Sequence, residues 1–348
     1  MVKLLEPISI RGLELKNRIV LPPMAMGLAR EDGLITRELK DHYARMASTG
    51  VGTIILESHY IDIRGKQSNG QLAIDRDECI EGLSEIASMI HKNKVACGVQ
   101  INHAGSATDS SITGHKIIGP SAIIHPKSTE MPTEMSTDDI QNVKRQFRKS
   151  AARVKKAGFD FVEIHGCHGY LMNQFLSPIT NTRIDEYGGI RANRIKFPIE
   201  VVKGIREEVG EDFVIFYRIA AADNMENGLT IDDAKYLAVK LVEAGVDVLD
   251  VSQGLAGSRP VTNQQGFFVH LAEGIKSVVR IPVITTGGIK EGLFAHHVIQ
   301  DGKADAIGVG RAILQDNQWV YKTKEQLKDI DCLLYTSDAA DDLTRGDL

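Results

Sequence analysis

The sequence predicts an α/β fold, a (β/α)8 TIM barrel of parallel strands alternating with helices. Three observations predict it. A short grammar of amphipathic helix, glycine and apolar run recurs, with the glycine and run at 49–56, 157–164, 244–251 and 301–309. The glycine suits a left-handed helix cap, and the unbroken apolar run suits a strand buried on both faces. Further apolar runs lie between these at 18–22, 95–101, 213–219 and 282–285, which brings the strands to eight. Helical periodicity fills the intervals at 78–92, 138–156, 194–209, 231–243, 266–279 and 291–299. Such alternation implies a parallel sheet with right-handed crossovers, most simply closed on itself. A doubly wound open sheet would carry Gly-x-Gly-x-x-Gly after the first strand, where this chain has Pro22-Pro23-Met24-Ala25-Met26-Gly27.

In chain order, residues 8–15 alternate around Arg11-Gly12 and read as a small N-terminal β-hairpin plugging the barrel floor. Ser136 with Asp139, and Thr230 with Asp233, have the spacing of capping boxes and mark two helix starts. Residues 105–135, rich in Ser, Thr, Pro and Gly, are too long for a plain loop and read as an excursion after the third strand, over the barrel mouth. After Asp331 the periodicity stops, and 332–341 resembles the translation of a sequencing-library adaptor. Residues 1–331 are therefore read as a single barrel domain and 332–348 as a non-native or disordered tail, with the native protein expected to continue differently.

Composition narrows the function classes. With 43% hydrophobic and 25% charged residues the chain is an ordinary globular protein able to bury a large core. A net charge of −5 carries no nucleic-acid footprint. No apolar segment reaches signal-peptide or membrane-spanning length, so no membrane partner and a cytoplasmic location are expected. Cys79, Cys97, Cys167 and Cys332 form no Cys-x-x-Cys pair, which argues against a disulfide framework or zinc ribbon.

Barrels of this kind keep their active sites at the C-terminal strand ends. The run 159–164 leads straight into His165-Gly166-Cys167-His168-Gly169-Tyr170. Other strands end at Pro22-Pro23-Met24-Ala25, at Glu57-Ser58-His59, at Gln100-Ile101-Asn102-His103 and at Arg218. The last two end at Thr286-Gly287-Gly288 and Gly308-Val309-Gly310-Arg311. Paired glycines that free backbone N–H groups, with Arg311 beside them, suit a phosphate, although glycines also serve plain turns. Arg218 sits in an apolar strand, where a guanidinium needs an anionic partner. Glu163 is one candidate; a cofactor ring that becomes negative on reduction is another. Gln100 either hydrogen-bonds the uracil-like edge of the same ring or is a satisfied core amide. His165 and His168 could ligate a metal, but no carboxylate or second cysteine accompanies them at ligand spacing. As two N–H donors they would instead grip and polarise one carbonyl oxygen.

From Leu5 to about Leu327 the chain resembles the old yellow enzyme family of FMN-dependent NAD(P)H oxidoreductases, in particular its bacterial ene-reductase branch of NADPH dehydrogenases and xenobiotic reductases. The resemblance is carried by Leu15-Lys16-Asn17-Arg18-Ile19-Val20, by Val99-Gln100-Ile101-Asn102-His103-Ala104-Gly105, and by His165 to Leu171, Phe175-Leu176-Ser177-Pro178 and Asn181 to Gly189. Ala192-Asn193-Arg194 and Gly310-Arg311 complete it. It implies that Pro22, Pro23, Met24, Ala25 and Ser58 line an FMN, that Gln100 and Arg218 contact its ring, and that Gly288, Gly310 and Arg311 hold its phosphate. It also implies that His165 and His168 bind the carbonyl of a small enone-like substrate, with Tyr170 the candidate proton donor. The implied reaction is ping-pong, with NADPH or NADH as hydride donor. Homodimers or homotetramers are common in such families. Two other readings remain open: the reductase portion of a longer 2-enoate or 2,4-dienoyl-CoA reductase, and a flavin-free barrel lyase or isomerase acting on a phosphate substrate. The chain departs from the family at Ala25, where Cys or Thr is frequent, at Gly27, where the branch carries tyrosine, and at Ser106, where arginine is common. A wider or reshaped pocket is expected from these.

Overall fold

The computed structural model describes residues 2–328. The reading of 332–348 as a tail lies outside the described residues. Eight parallel strands form the barrel: β1 (Ile19–Leu21), β2 (Thr53–Tyr60), β3 (Ala96–Asn102), β4 (Phe161–Gly166), β5 (Val214–Ala220), β6 (Val248–Ser252), β7 (Val283–Thr285) and β8 (Ala306–Gly308). Each pairs with its sequence neighbours, and β8 returns to β1 through Ile307↔Ile19 and Gly308↔Val20, so the sheet is closed as expected.

The connecting helices are α1 (Arg37–Ala47), α2 (Cys79–His91), α3 (Thr137–Lys156), α4 (Lys196–Val209), α5 (Ile231–Glu243), α6 (Val269–Lys276) and α7 (Gly292–Gln300). Both expected capping boxes form, with Ser136 and Thr230 accepting from the N3 backbone while Asp139 and Asp233 accept from the caps. The four joint glycines, Gly50, Gly158, Gly245 and Gly302, have φ of 89°, 86°, 106° and 72°. That is the left-handed cap their repeat implied. Helix α6 starts later than its periodicity suggested, because Gly266 has φ +68° and Phe268 is not helical. Helix α1, whose bounds the sequence reading did not set, is capped by Thr36 and buries Leu39, Tyr43, Met46 and Ala47 on one face.

The hairpin of Ile8–Ile10 and Leu13–Leu15 turns through Arg11 (φ 47°) and Gly12 (φ 83°), the doubly positive geometry of a tight hairpin turn. It places Ile10 and Leu15 beneath a floor to which every strand contributes, including Val20, Ile55, Phe161, Phe216 and Ile284. Phe161 stacks on Phe216 at 4.1 Å. The hairpin therefore plugs the barrel as expected. Above this apolar floor the lumen changes character: Gln100, Glu163, Arg218 and Asp250 are all buried there, one from each of β3 to β6. At the other end, the excursion after β3 folds a short helix, Ser110–Thr113, and pairs Ile118–Gly119 with Thr133–Glu134. Among the described residues no helix is long and apolar enough to cross a membrane.

Candidate active site

At the C-terminal strand ends lies a cleft of about 970 Å³. The residues given a cofactor or catalytic role from the sequence all line it: Pro22, Pro23, Met24 and Ala25 after β1, Ser58 in β2, Gln100 in β3, His165, His168 and Tyr170 at the end of β4 and just after it. Arg218 in β5, Gly288 after β7, and Gly310 and Arg311 after β8 complete the wall.

The imidazole pair is tightly fixed. His165 and His168 face each other edge to face at 5.0 Å, and Tyr170 meets His165 at 4.8 Å. His168 adopts φ +61°, a left-handed conformation uncommon outside glycine, and its N–H donates to the Gln253 carbonyl at 2.9 Å. Burial, with Arg218 nearby, pushes both imidazoles well below the ordinary histidine range, so both are neutral near pH 7. His168 Nε2 lies 2.7 Å from Ser252 Oγ. With that hydroxyl donating, the ring hydrogen resides on Nδ1. His165 Nδ1 lies 3.7 Å from Cys167 Sγ, and burial holds that thiol protonated. The donor atoms of His165, Cys167 and His168 lie within 4.8 Å of one another, but without a thiolate they suit hydrogen bonding better than a cation. Tyr170 is likewise held as the neutral phenol by burial.

Deeper in the barrel, Gln100 Nε2 donates to Glu163 Oε1 at 2.7 Å, and Arg218 Nε pairs with Asp250 Oδ2 at 3.0 Å. Asp250, not Glu163, is thus the guanidinium's partner. Among the described residues the terminal nitrogens of Arg218 have no hydrogen-bond partner, so its fork is left for something in the cleft. Ser58 Oγ accepts from Gln71 Nε2 at 3.1 Å, which frees its own hydrogen. The segment after β1 is tethered by Met26 N–H donating to Glu57 Oε2 at 3.0 Å. Burial raises the Glu57 carboxyl to about 7.

The far wall has the form of a phosphate cradle. Gly288 has φ +67°, and a Cβ there would sit 2.5 Å from Phe267 Cε1, so the backbone is bared to the cleft by necessity. A Cβ on Gly310 would approach Met24 Sδ to 2.6 Å. Among the described residues the N–H groups of Gly288, Gly310 and Arg311 have no acceptor. Bare amides and a guanidinium beside them fit a phosphate, and the free fork of Arg218 fits an electron-rich ring edge.

Sequence reasoning missed Ser252 and Asp250. Both belong to β6, the one strand whose end the reading passed over, and only the alternation of β6 against β5 would have pointed to them. Of the three departures, Ala25 lines the cleft while Gly27 and Ser106 do not. Ser106 is 2% exposed, its N–H donating to Gln174 Oε1. Gly27 has φ +70°, a backbone that a tyrosine would adopt only under strain. A Cβ at Gly27 would meet nothing within 4 Å, so a side chain there has room, whereas Ser106 lies away from the cleft.

The profile of the NADH:flavin oxidoreductase / NADH oxidase family matches residues 3–329. NADH oxidase of Thermoanaerobacter brockii is 43% identical over 91% of this chain, which spans 50% of that protein. NADPH dehydrogenase of Geobacillus sp. strain WCH70 is 39% identical over 93% of the chain and 94% of the relative. Among solved structures, 2-naphthoyl-CoA reductase with 2-naphthoyl-CoA superposes with TM-score 0.89 at 25% identity, over 94% of this chain and 53% of that one. The old yellow enzyme homologue from Zymomonas mobilis gives 0.83 at 25%, over 93% of both chains. A closed eight-stranded barrel and a family profile over nearly the whole described chain agree, and this chain belongs to the NADH:flavin oxidoreductase / NADH oxidase family.

Proposed function

We propose that the cleft binds FMN and that the enzyme uses NADPH or NADH to reduce the activated C=C bond of α,β-unsaturated carbonyl compounds. The observation that carries the reading is the neutral imidazole pair His165 and His168, with ring centroids 5.0 Å apart in the cleft that Arg218 also lines. Bound there, FMN would supply the hydride chemistry that links the nicotinamide to the β-carbon of the alkene. Gly288, Gly310 and Arg311 hold its phosphate, Gln100 and Arg218 meet the ring edge, and Pro22, Pro23, Met24, Ala25 and Ser58 line it. His165 and His168 each direct an N–H at the substrate oxygen, stabilising the charge that develops there. Tyr170, protonated and packed on His165, is the donor of a proton to the α-carbon. Reconstitution with FMN and anaerobic titration test the proposal.

Ser252 gives a separate check on the imidazole role. Ser252→Ala leaves the His168 tautomer unassigned, and about a tenfold drop in kcat/KM for an enone is expected, the scale of one hydrogen bond. The absorption spectrum of bound FMN should be unchanged.

A second reading is favoured by length: the chain spans about half of the Thermoanaerobacter relative and of 2-naphthoyl-CoA reductase. In this reading the barrel is the reductase portion of a longer enoate or dienoyl-CoA reductase. A cysteine cluster encoded beyond Asp331 in the native gene would support it. A lyase or isomerase acting on a phosphate substrate would be favoured instead by protein that stays colourless with FMN. We further place the enzyme in the cytoplasm, in keeping with free, buried Cys79, Cys97 and Cys167, and expect a homodimer or homotetramer by size-exclusion chromatography.

A further inference from the structure

The lumen layer beneath the cleft is chemically out of place. Barrel interiors are ordinarily filled with branched apolar side chains, and the floor of this one is. One layer up, adjacent strands bring Gln100, Glu163, Arg218 and Asp250 together, all no more than 7% exposed. The register sets Gln100 beside Glu163 and Arg218 beside Asp250. Two carboxyl groups thus share one guanidinium. Such a set is costly to bury, and with a single cation it is balanced only if one carboxyl keeps its proton.

The ion pair favours Glu163 as the carboxyl that keeps that proton. Asp250 takes the ion pair with Arg218 Nε. Glu163 Oε1 accepts from Gln100, while Glu163 Oε2 and both Asp250 oxygens are buried without a hydrogen-bond partner, so the charge contact with Arg218 is what distinguishes Asp250. The charged or titratable groups facing Glu163 are Arg218 from β5, Asp250 from β6 and Cys167 just past β4, while β3 presents only the neutral Gln100. Burial and the neighbouring Asp250 charge both raise the Glu163 carboxyl, which is the direction a proton held on Oε2 requires.

The hydrogen bond to Glu163 also orients Gln100. With one N–H committed to Oε1, the amide keeps its carbonyl oxygen and its other N–H for the cleft it lines. We propose that Glu163 is a positioning residue for the flavin: it orients the Gln100 amide toward the ring edge and, by holding or releasing one proton, sets the net charge that the Arg218 and Asp250 pair presents to the ring. The inference rests on the FMN reading above. Neither Glu163 nor Asp250 lines the cleft, so both act through Gln100 and Arg218.

The test compares the wild-type protein with Glu163→Gln and Glu163→Leu. FMN dissociation constants are read from flavin fluorescence, and the two-electron midpoint potential of bound FMN is followed from about pH 6 to about pH 9. In the wild type, loss of the Glu163 proton adds negative charge under the ring, so the potential should fall more steeply above the pH at which that proton leaves. Glu163→Gln, isosteric and permanently uncharged, should match the wild type at the acid end and lie above it at the alkaline end, without the break. Glu163→Leu, which cannot orient the amide, should weaken FMN binding about tenfold. Asp250→Asn, which leaves Glu163 as the carboxyl nearest the guanidinium, should move the break to lower pH and guards against misfolding of the Glu163 variants. Potentials and FMN affinities that match the wild type in all three variants, with only the thermal midpoint altered, would assign the layer a purely structural role and overturn the inference. Wild-type protein that fails to bind FMN would instead overturn the reading on which it rests.

Discussion

Replacing His168 with alanine is expected to lower kcat/KM toward an enone by a factor on the order of 10²–10³, the usual loss when one preorganised donor to a developing oxyanion is removed. The size follows from rigidity. His168 is pinned by its own N–H on Gln253, by Ser252 on its ring and by a left-handed backbone, so nothing nearby can swing in to replace it. The left-handed backbone at φ +61° is already borne by a residue with a Cβ, so alanine inherits that strain and adds little to it. His168→Asn tests the donor itself, since asparagine tolerates that conformation and retains an N–H donor. It should recover part of the activity, while the FMN dissociation constant stays close to that of the wild type in both variants. Enone kinetics at saturating nicotinamide check this; equal activity of His168→Ala and wild type would remove the imidazole pair from the mechanism.

Replacing Arg218 with alanine is expected to destabilise the barrel by about 3–5 kcal/mol, because it strips the cation from a buried ion pair and leaves Asp250 and Glu163 facing each other. The effect is pH-dependent, and its sign can be worked out. Burial raises both carboxyls above their unfolded values, so the folded state binds more protons and stability falls as pH rises through the folded titration. Arg218 opposes that rise, and without it both carboxyls move further up. The deficit of Arg218→Ala should therefore be smallest near about pH 5 and grow toward about pH 8. Denaturant titrations of the apoprotein at the two pH values measure it. A deficit that shrinks with increasing pH would contradict the charge assignment of the lumen.

Much of the fold is legible in the sequence because helix-to-strand joints leave local marks. Gly50, Gly158, Gly245 and Gly302 mark helix ends through a backbone conformation that glycine adopts freely, and Ser136 and Thr230 mark helix starts through side chains that cap them. The wall of the cleft is legible for a related reason: toward the strand ends, polar groups such as Gln100, His165 and Arg218 interrupt apolar runs. What escapes is pairing across the barrel. That Arg218 takes Asp250 and not Glu163 depends on the stagger of β5 against β6, which no local pattern encodes. Ser252 escapes because a serine ending a strand is unremarkable until His168 is seen 2.7 Å away.

The most direct measurement is an anaerobic titration of the FMN-reconstituted protein, first with NADPH or NADH and then with an α,β-unsaturated ketone. The account predicts that the yellow flavin absorbance bleaches with one equivalent of nicotinamide and returns with one equivalent of enone, yielding the saturated ketone. Protein that binds no FMN, or a bleached flavin that enone leaves unchanged and only oxygen restores, would contradict it.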